Sequence, residues 1–306
     1  MHLIRPTRLG ARSFEKRGTL PVRLAATISR EFPHGESSAN SADREALDRS
    51  LNDLTSLYGA VYRPELVDLD RLASYKFMAA ETFGELGPLL GEIDLVILAY
   101  ATPDLDTRDF VGCFIADAVP GGPMVFSVSD QGSTAPFTAL RLAGDYLADC
   151  GGRSALVLAL DQHTVPWDVP DRAAVPTCSA AVAVVVDSID AEGVDGEGFG
   201  TQVWHHTAVA PENLGTTVEA AWALARLRLG RSAVLVAGRD TPLPEDAAES
   251  ATAVVVADQG RVCTGVWHAL DDYRRNHPDG PGPIVVLDYD PVWRYLGVAV
   301  FDDVAR

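Results

Sequence analysis

One serine stands where this chain could present a nucleophile. In PMVFSVSDQGSTAPFTALRLA (Pro123 to Ala143) an apolar strand runs through a small-residue turn into an apolar-periodic helix. Val125, Phe126 and Val128 read as strand, and Pro136, Phe137, Leu140 and Ala143 recur at helical spacing, which puts the Gln131-Gly132-Ser133 corner at a helix N-terminus. Free backbone N–H groups and the helix dipole favour a developing negative charge there, as in a strand-turn-helix elbow. A serine hydroxyl is far less ionised than a thiol and needs a base within hydrogen-bond reach. The candidate bases are His163, after the strand that follows the Ser133 helix, and His205 and His206, on the first strand of the second half. His268 lies on a helix beginning near Cys263. Each also reads as a surface or packed histidine, and Ser133 as a small residue capping its helix.

The elements that must carry these residues form two series. Strands are expected near Val22 to Ile28, Leu95 to Ala101, Met124 to Val128, Ala155 to Leu160 and Ala180 to Val186, with helices near Ala42 to Tyr58, Leu69 to Leu86 and Ala135 to Cys150. An acidic, glycine-rich connector follows, DSIDAEGVDGEGFG (Asp187 to Gly200), and then the pattern restarts. The second series has strands near Gln202 to Thr207, Ala233 to Ala237, Ala253 to Val256, Ile284 to Leu287 and Leu296 to Phe301, with helices near Thr217 to Leu229 and Val262 to Arg275. Five strands twice over predict two duplicated five-stranded α/β halves. The expected organisation is a basic arm over 1–20, an N-terminal half over 21–190 and a C-terminal half over 191–306. GRSALVLALDQHTVP (Gly152 to Pro166) parallels GRSAVLVAGRDTPLP (Gly230 to Pro244), and SAAVAVVVD (Ser179 to Asp187) parallels SATAVVVAD (Ser250 to Asp258). The strands are continuously apolar rather than alternating, so helices should cover both faces of each sheet.

The order DLVILAYATPD (Asp94 to Asp104), the serine corner, GGRSALVLALD (Gly151 to Asp161) and DVPDRAAVPTCSAAVAVVVD (Asp168 to Asp187) resembles ketosynthase III proteins (β-ketoacyl-ACP synthase III) of the thiolase superfamily, over roughly Val22 to Phe301. The resemblance implies a thiolase-like fold layered αβαβα. It also implies a catalytic cysteine, histidine and asparagine, none of which stands here. Counted back from the following helix, the cysteine position falls on Ser133; counted forward from the strand, on Gly132. The histidine position falls on Gly238 or Arg239 in VLVAGRD, and the asparagine position on Cys263 in VVVADQGRVCTG. A thiol donates only weakly to an oxyanion.

Where relatives have a glycine-rich turn before the last strand, DPVWRYLG (Asp290 to Gly297) places Trp293, whose bulk would obstruct a pantetheine-linked thioester. Gln131 lies one or two residues from the place where a glutamine marks decarboxylating or chain-length subunits, and Gln131, Gly132 and Trp293 together make up the expected tunnel and oxyanion region. By the resemblance His205 and His206 border the acyl tunnel.

Two functions follow as expectations. One is a degenerate, non-condensing partner or scaffold subunit of a polyketide or fatty-acyl pathway. The other is an acyltransferase in which Ser133 takes an acyl group from a coenzyme A or carrier-protein thioester. A homodimer, or a heterodimer with another ketosynthase-like subunit, is implied through Met124 to Ser129, with an acyl carrier protein as a further partner.

Composition bounds the rest. The 306 residues carry a formal net charge of −18, which disfavours nucleic acid and anionic membrane as partners, since both select clustered Lys and Arg. The first 23 residues run against that trend, with Arg5, Arg8, Arg12, Lys16, Arg17 and Arg23 facing only Glu15. Four cysteines without CxxC or Cys/His spacing indicate neither a metal site nor a disulfide framework, and no tightly bound cofactor is expected. No apolar run approaches the ~18 residues of a membrane span, so a cytoplasmic location is the expectation.

Overall fold

The computed structural model describes residues 19–35, 41–57, 59–68, 71–106, 110–169, 175–189, 200–278, 280 and 282–302. All of the basic arm but Thr19 and Leu20, and most of the acidic connector, lie outside the described residues. The first series comprises β1 (Val22–Phe32), α1 (Ser41–Leu57), α2 (Tyr75–Leu86), β2 (Ile93–Tyr100), α3 (Val111–Ala118), β3 (Met124–Val128), α4 (Ala135–Cys150), β4 (Ser154–Asp161) and β5 (Ser179–Ser188). The second comprises β6 (Thr201–His206), α5 (Pro211–Leu229), β7 (Val234–Ala237), α6 (Ala247–Ser250), β8 (Ala253–Val256), α7 (Gly265–Asn276), β9 (Ile284–Asp290) and β10 (Tyr295–Phe301).

Each series makes its own five-stranded sheet, in the orders β1-β5-β4-β2-β3 and β6-β10-β9-β7-β8. Read from the same edge, both sheets have two antiparallel pairings followed by two parallel ones. The halves are therefore topological duplicates, but the sequence parallels above join the wrong strands. They match β4 with β7 and β5 with β8, whereas the sheets make β4 equivalent to β9 and β5 to β10. Buried strands drawn from Val, Ala and Leu look alike whatever their place in a sheet, which explains the false register.

Three apolar clusters give the layers. The largest lies between the sheets, where Ile97, Val157 and Val184 face Val236, Val286 and Phe301 across α4 (Phe137, Leu140, Ala143) and α7 (Val266, Trp267, Leu270). A second packs the outer face of the first sheet against Met78, Ala79 and Phe83 of α2 and Ile115 of α3. A third packs the outer face of the second sheet against Val218, Trp222 and Ala225 of α5. Helices thus cover both faces of both sheets, and β4 is buried along its whole length, as its continuous apolar pattern requires.

Two boundaries and two additional helices differ from expectation. Helix α2 begins at Tyr75 rather than Leu69, because Ser74 caps it by accepting from the Phe77 N–H. The short helices α3 and α6 are additional to the expected elements. Strand β9 continues past Leu287 through Asp288, Tyr289 and Asp290, all buried, so two carboxylates are carried into the interior.

Candidate functional site

The corner at the end of β3 is built as a strand-turn-helix junction. Asp130 and Gly132 both take left-handed backbone (φ 60° and 55°), and one short 3-10 turn, Gly132–Thr134, feeds α4. Gly132 is required on two grounds. Its φ favours glycine, and a Cβ would sit 1.8 Å from Asp290 Oδ2 and 3.0 Å from Trp293 Cδ1. Trp293 therefore stands directly against the turn.

Ser133 is buried, with 7% of its surface exposed. Its backbone N–H donates to Asp290 Oδ2 at 2.9 Å. Its hydroxyl is wholly buried without a well-formed hydrogen bond, yet lies close enough to Asp288 to favour that carboxyl's charged form. The other two positions to which the resemblance assigns the triad come to the same place. A Cβ on Gly238 would stand 1.8 Å from Asp288 Oδ1, and Cys263 Sγ donates to the Gly132 carbonyl at 3.2 Å. Where the resemblance puts a histidine and an asparagine, the space holds the Asp288 carboxyl and a thiol turned onto the backbone. Arg239, the alternative to Gly238, is exposed.

The electrostatics follow from burial. Asp288 is pushed well above the usual carboxylate range by desolvation, opposed by the Ser133 hydroxyl and reinforced by Asp290 and Asp240. Desolvation also raises Asp290, against the N–H groups of Trp293, Ser133 and Val292 that favour its charge. Cys263 is driven far up by burial and by Asp161, Asp290 and Asp288, so it stays a thiol rather than a thiolate.

The two helices that meet between the sheets are capped by exchange. Asp161, the last residue of β4, accepts from the Cys263 and Thr264 N–H groups at 2.9 Å each and from Thr264 Oγ1 at 2.7 Å, at the start of α7. Asp290, the last residue of the equivalent strand β9, accepts from Ser133 at the start of α4. Each half places a buried carboxylate on the helix N-terminus of the other. A helix N-terminus is an anion site, and here the anions are the protein's own.

The candidate bases lie elsewhere. His205 is packed edge-on against Phe137 (6.2 Å between centroids), 3.4 Å from Thr138 Oγ1 and 3.5 Å from the Thr134 carbonyl. His206 accepts from Trp204 Nε1 at 3.2 Å, and His163 lies between Ser179 Oγ (3.0 Å) and Thr164 Oγ1 (3.2 Å). His268 contacts Asp272 (3.2 Å) and Glu31 (3.8 Å). None of these rings hydrogen-bonds Ser133 Oγ. Gln131 turns away toward α4, where its side-chain oxygen accepts from Thr138 Oγ1.

Asp161, Asp288 and Asp290 are the members of this corner that the sequence reading missed. The available signal was a carboxylate ending an apolar run, in LVLALD and VVLDYD. Clefts that open among the described residues include two away from the corner. One, of about 260 Å³, lies beside β8 and α7, and the other, of about 560 Å³, borders Gly91, Met124 and Arg153. Neither is lined by a residue of the serine corner. Among the described residues no group of His, Cys, Asp and Glu is arranged to hold a metal ion, and no helix is long and apolar enough to cross a membrane.

Two partly buried, desolvated groups predict opposite pH dependences. Desolvation depresses His205 from 6.5 to about 4, so between those values the unfolded chain binds more protons and stability rises with pH. Asp104, partly buried and accepting from the Tyr75 and Asp106 N–H groups at 3.2 Å each, is raised by desolvation from 3.8 to about 7. In that window the native state holds the extra proton, and stability falls as pH rises. The two contributions offset each other between pH 4 and 6.5, so Asp104→Asn is expected to make the slope of stability against pH more positive there and His205→Gln to make it more negative. Urea unfolding of both variants across that range is the measurement, and parallel curves for the two would refute the assignment.

No family model and no curated protein matches the sequence. Solved structures do match. A glutamate-to-glutamine variant of OleA from Xanthomonas campestris is 14% identical with a TM-score of 0.56, covering 93% of this chain and 99% of that one. A cysteine-to-serine variant of the same protein with bound lauric acid and lauroyl-CoA is 13% identical with a TM-score of 0.55, covering 92% and 99%. A cysteine-to-alanine variant is 14% identical with a TM-score of 0.57, covering 93% and 98%. This chain has the thiolase-like α/β fold of those OleA structures over nearly its whole length, the fold implied by the resemblance to ketosynthase III proteins.

Proposed function

We propose that this chain is a ketosynthase III-like protein of a fatty-acyl or polyketide pathway that does not perform decarboxylative condensation and serves as a non-condensing partner or scaffold. One observation carries the reading. The Ser133 N–H, which an acyl oxyanion would need, donates to Asp290, and Asp288 stands beside Gly238 where a charge-stabilising side chain belongs. Condensation passes through an enolate, and a site lined by carboxyls opposes that charge whenever they are ionised. Cys263, bonded to a carbonyl, offers no compensating donor. Partner pairing would use β3, an edge strand whose Met124 is 54% exposed. The homomeric and heteromeric forms both remain within this reading, as does a cytoplasmic setting.

The acyltransferase reading keeps one observation in its favour: the unpartnered hydroxyl of Ser133 beside Asp288. Intact-mass spectrometry separates the two. After incubation with malonyl-CoA and with lauroyl-CoA, whose counterpart is bound in an OleA structure, the expected result is no covalent adduct and no release of carbon dioxide. A stoichiometric acyl adduct that disappears in Ser133→Ala would overturn the proposal in favour of the acyltransferase.

A further inference from the structure

The same carboxylate that occupies the Ser133 N–H also holds the turn whose Trp293 stands against Gly132, next to the serine. Asp290 Oδ1 accepts from the N–H groups of Val292 (2.9 Å) and Trp293 (2.8 Å), while Oδ2 accepts from Ser133. The 291–294 turn joins β9 to β10, and Asp290 pairs with Tyr295 at its base. It is therefore tied to the corner by one side chain and one packed ring. We infer that this turn is a lid over Ser133 and that Asp290 is its latch.

Two further features fit a segment with a second state. Arg294 closes the lid and Asp130 opens the corner, and both are non-glycine residues in left-handed backbone (φ 57° and 60°), a conformation that costs about 1–2 kcal/mol and is kept only where surrounding contacts enforce it. Trp293 is only half-buried and the turn carrying it is otherwise short and surface-facing; besides Asp290 it is held where the Arg294 carbonyl accepts from the Val209 N–H at 2.9 Å, at the end next to β10, so releasing the Asp290 contacts loosens the Trp293 end without dismantling either sheet. Opening would expose a serine hydroxyl and a free backbone N–H side by side. That pair of groups suits the carbonyl of an acyl ester or thioester, which the closed state excludes.

A thiol reporter tests access without requiring any activity. In the full-chain variant Ser133→Cys, alkylation by N-ethylmaleimide is followed peptide by peptide, with the exposed Cys113 and Cys150 as the fast reference and the buried Cys263 as the slow one. The expected result is slow labelling at position 133, accelerated about tenfold or more when Asp290→Asn is added, equivalent to ~1.4 kcal/mol of latching. Asparagine retains an oxygen for the turn but presents an amide N–H to the Ser133 N–H, so it cuts the tie with little change of shape. Trp293→Ala, which removes the cover instead of the latch, is expected to accelerate labelling as well and serves if Asp290→Asn does not fold. Unchanged rates in the folded variants, or labelling of position 133 as fast as Cys113 with the latch intact, would overturn the lid. Acceleration of Cys263 in step with position 133 would also overturn it, because the carboxylate would then be holding the whole core. The label reads access alone, so the lid and the non-condensing assignment can each fail without the other.

Discussion

Removing the Asp161 carboxyl is expected to destabilise the protein by about 3–5 kcal/mol, the scale for a buried charged group whose hydrogen-bond partners are left unpaired. Asp161→Ala would orphan the Cys263 N–H, the Thr264 N–H and the Thr264 hydroxyl together, with Asp161 and Thr264 both fully buried. Water cannot replace the carboxylate without a cavity polar enough to hold it. Asp161→Asn is expected to lose roughly half as much, since its oxygen still accepts while its amide faces a backbone donor. Urea unfolding gives the magnitude, and amide exchange in the first turn of α7 shows where it arises. A loss below about 1 kcal/mol for the alanine variant would mean that the exchanged cap is incidental to the joining of the halves.

Gly238→Ala is the second large effect, at about 2–3 kcal/mol, the usual range for forcing a methyl into a packed interior. Its Cβ would lie 1.8 Å from Asp288 Oδ1, 2.8 Å from Asp288 Cγ and 3.2 Å from Thr241 Oγ1. The Asp288 carboxyl is itself fully desolvated and interacts with Ser133 and Asp290. Asp288→Ala alone is expected to be near neutral or mildly stabilising at pH 7, since it deletes a desolvated carboxyl with no cationic partner. In the Asp288→Ala background the cost of Gly238→Ala should then largely disappear, a coupling of about 2 kcal/mol in a double-mutant cycle. Strict additivity would show that Asp288 is not what excludes a side chain from position 238. Gly238→His would meet the same obstacle at Asp288.

The duplicated architecture gives these effects their common origin. Asp161 and Asp290 end equivalent strands, and α7 and α4 follow equivalent edge strands, so the capping contacts are one contact made twice across the junction of the halves. Phe137 and Trp267, each four residues beyond the capped position, pack on each other with centroids 5.0 Å apart and complete the junction. In the N-terminal copy the cap occupies the Ser133 N–H. In the C-terminal copy it fixes Cys263 and leaves its thiol turned onto the Gly132 carbonyl.

The sequence by itself determined the layers and the corner. Continuous Val, Leu and Ala runs can only be strands covered on both faces, and SVSDQGSTAPF can only be a turn opening a helix, because period and turn chemistry are local properties. The placement of β3, α4 and β8 was legible residue for residue for the same reason. What the sequence could not decide was the pairing between halves. Its repeats pointed to β4 with β7, and only the hydrogen-bonded order of the sheets made β9 the partner of β4.

The contents of the corner were likewise tertiary. An aspartate ending a strand is compatible with a solvent-facing turn or with a buried cap, and nothing within a few residues of Asp161 or Asp290 distinguishes them. The groups that bury them lie 102 and 157 residues away in the chain. Local sequence placed Ser133 at a helix N-terminus suited to catalysis. The folded chain then filled that N-terminus with its own carboxylate, because the strand that delivers it comes from the other half.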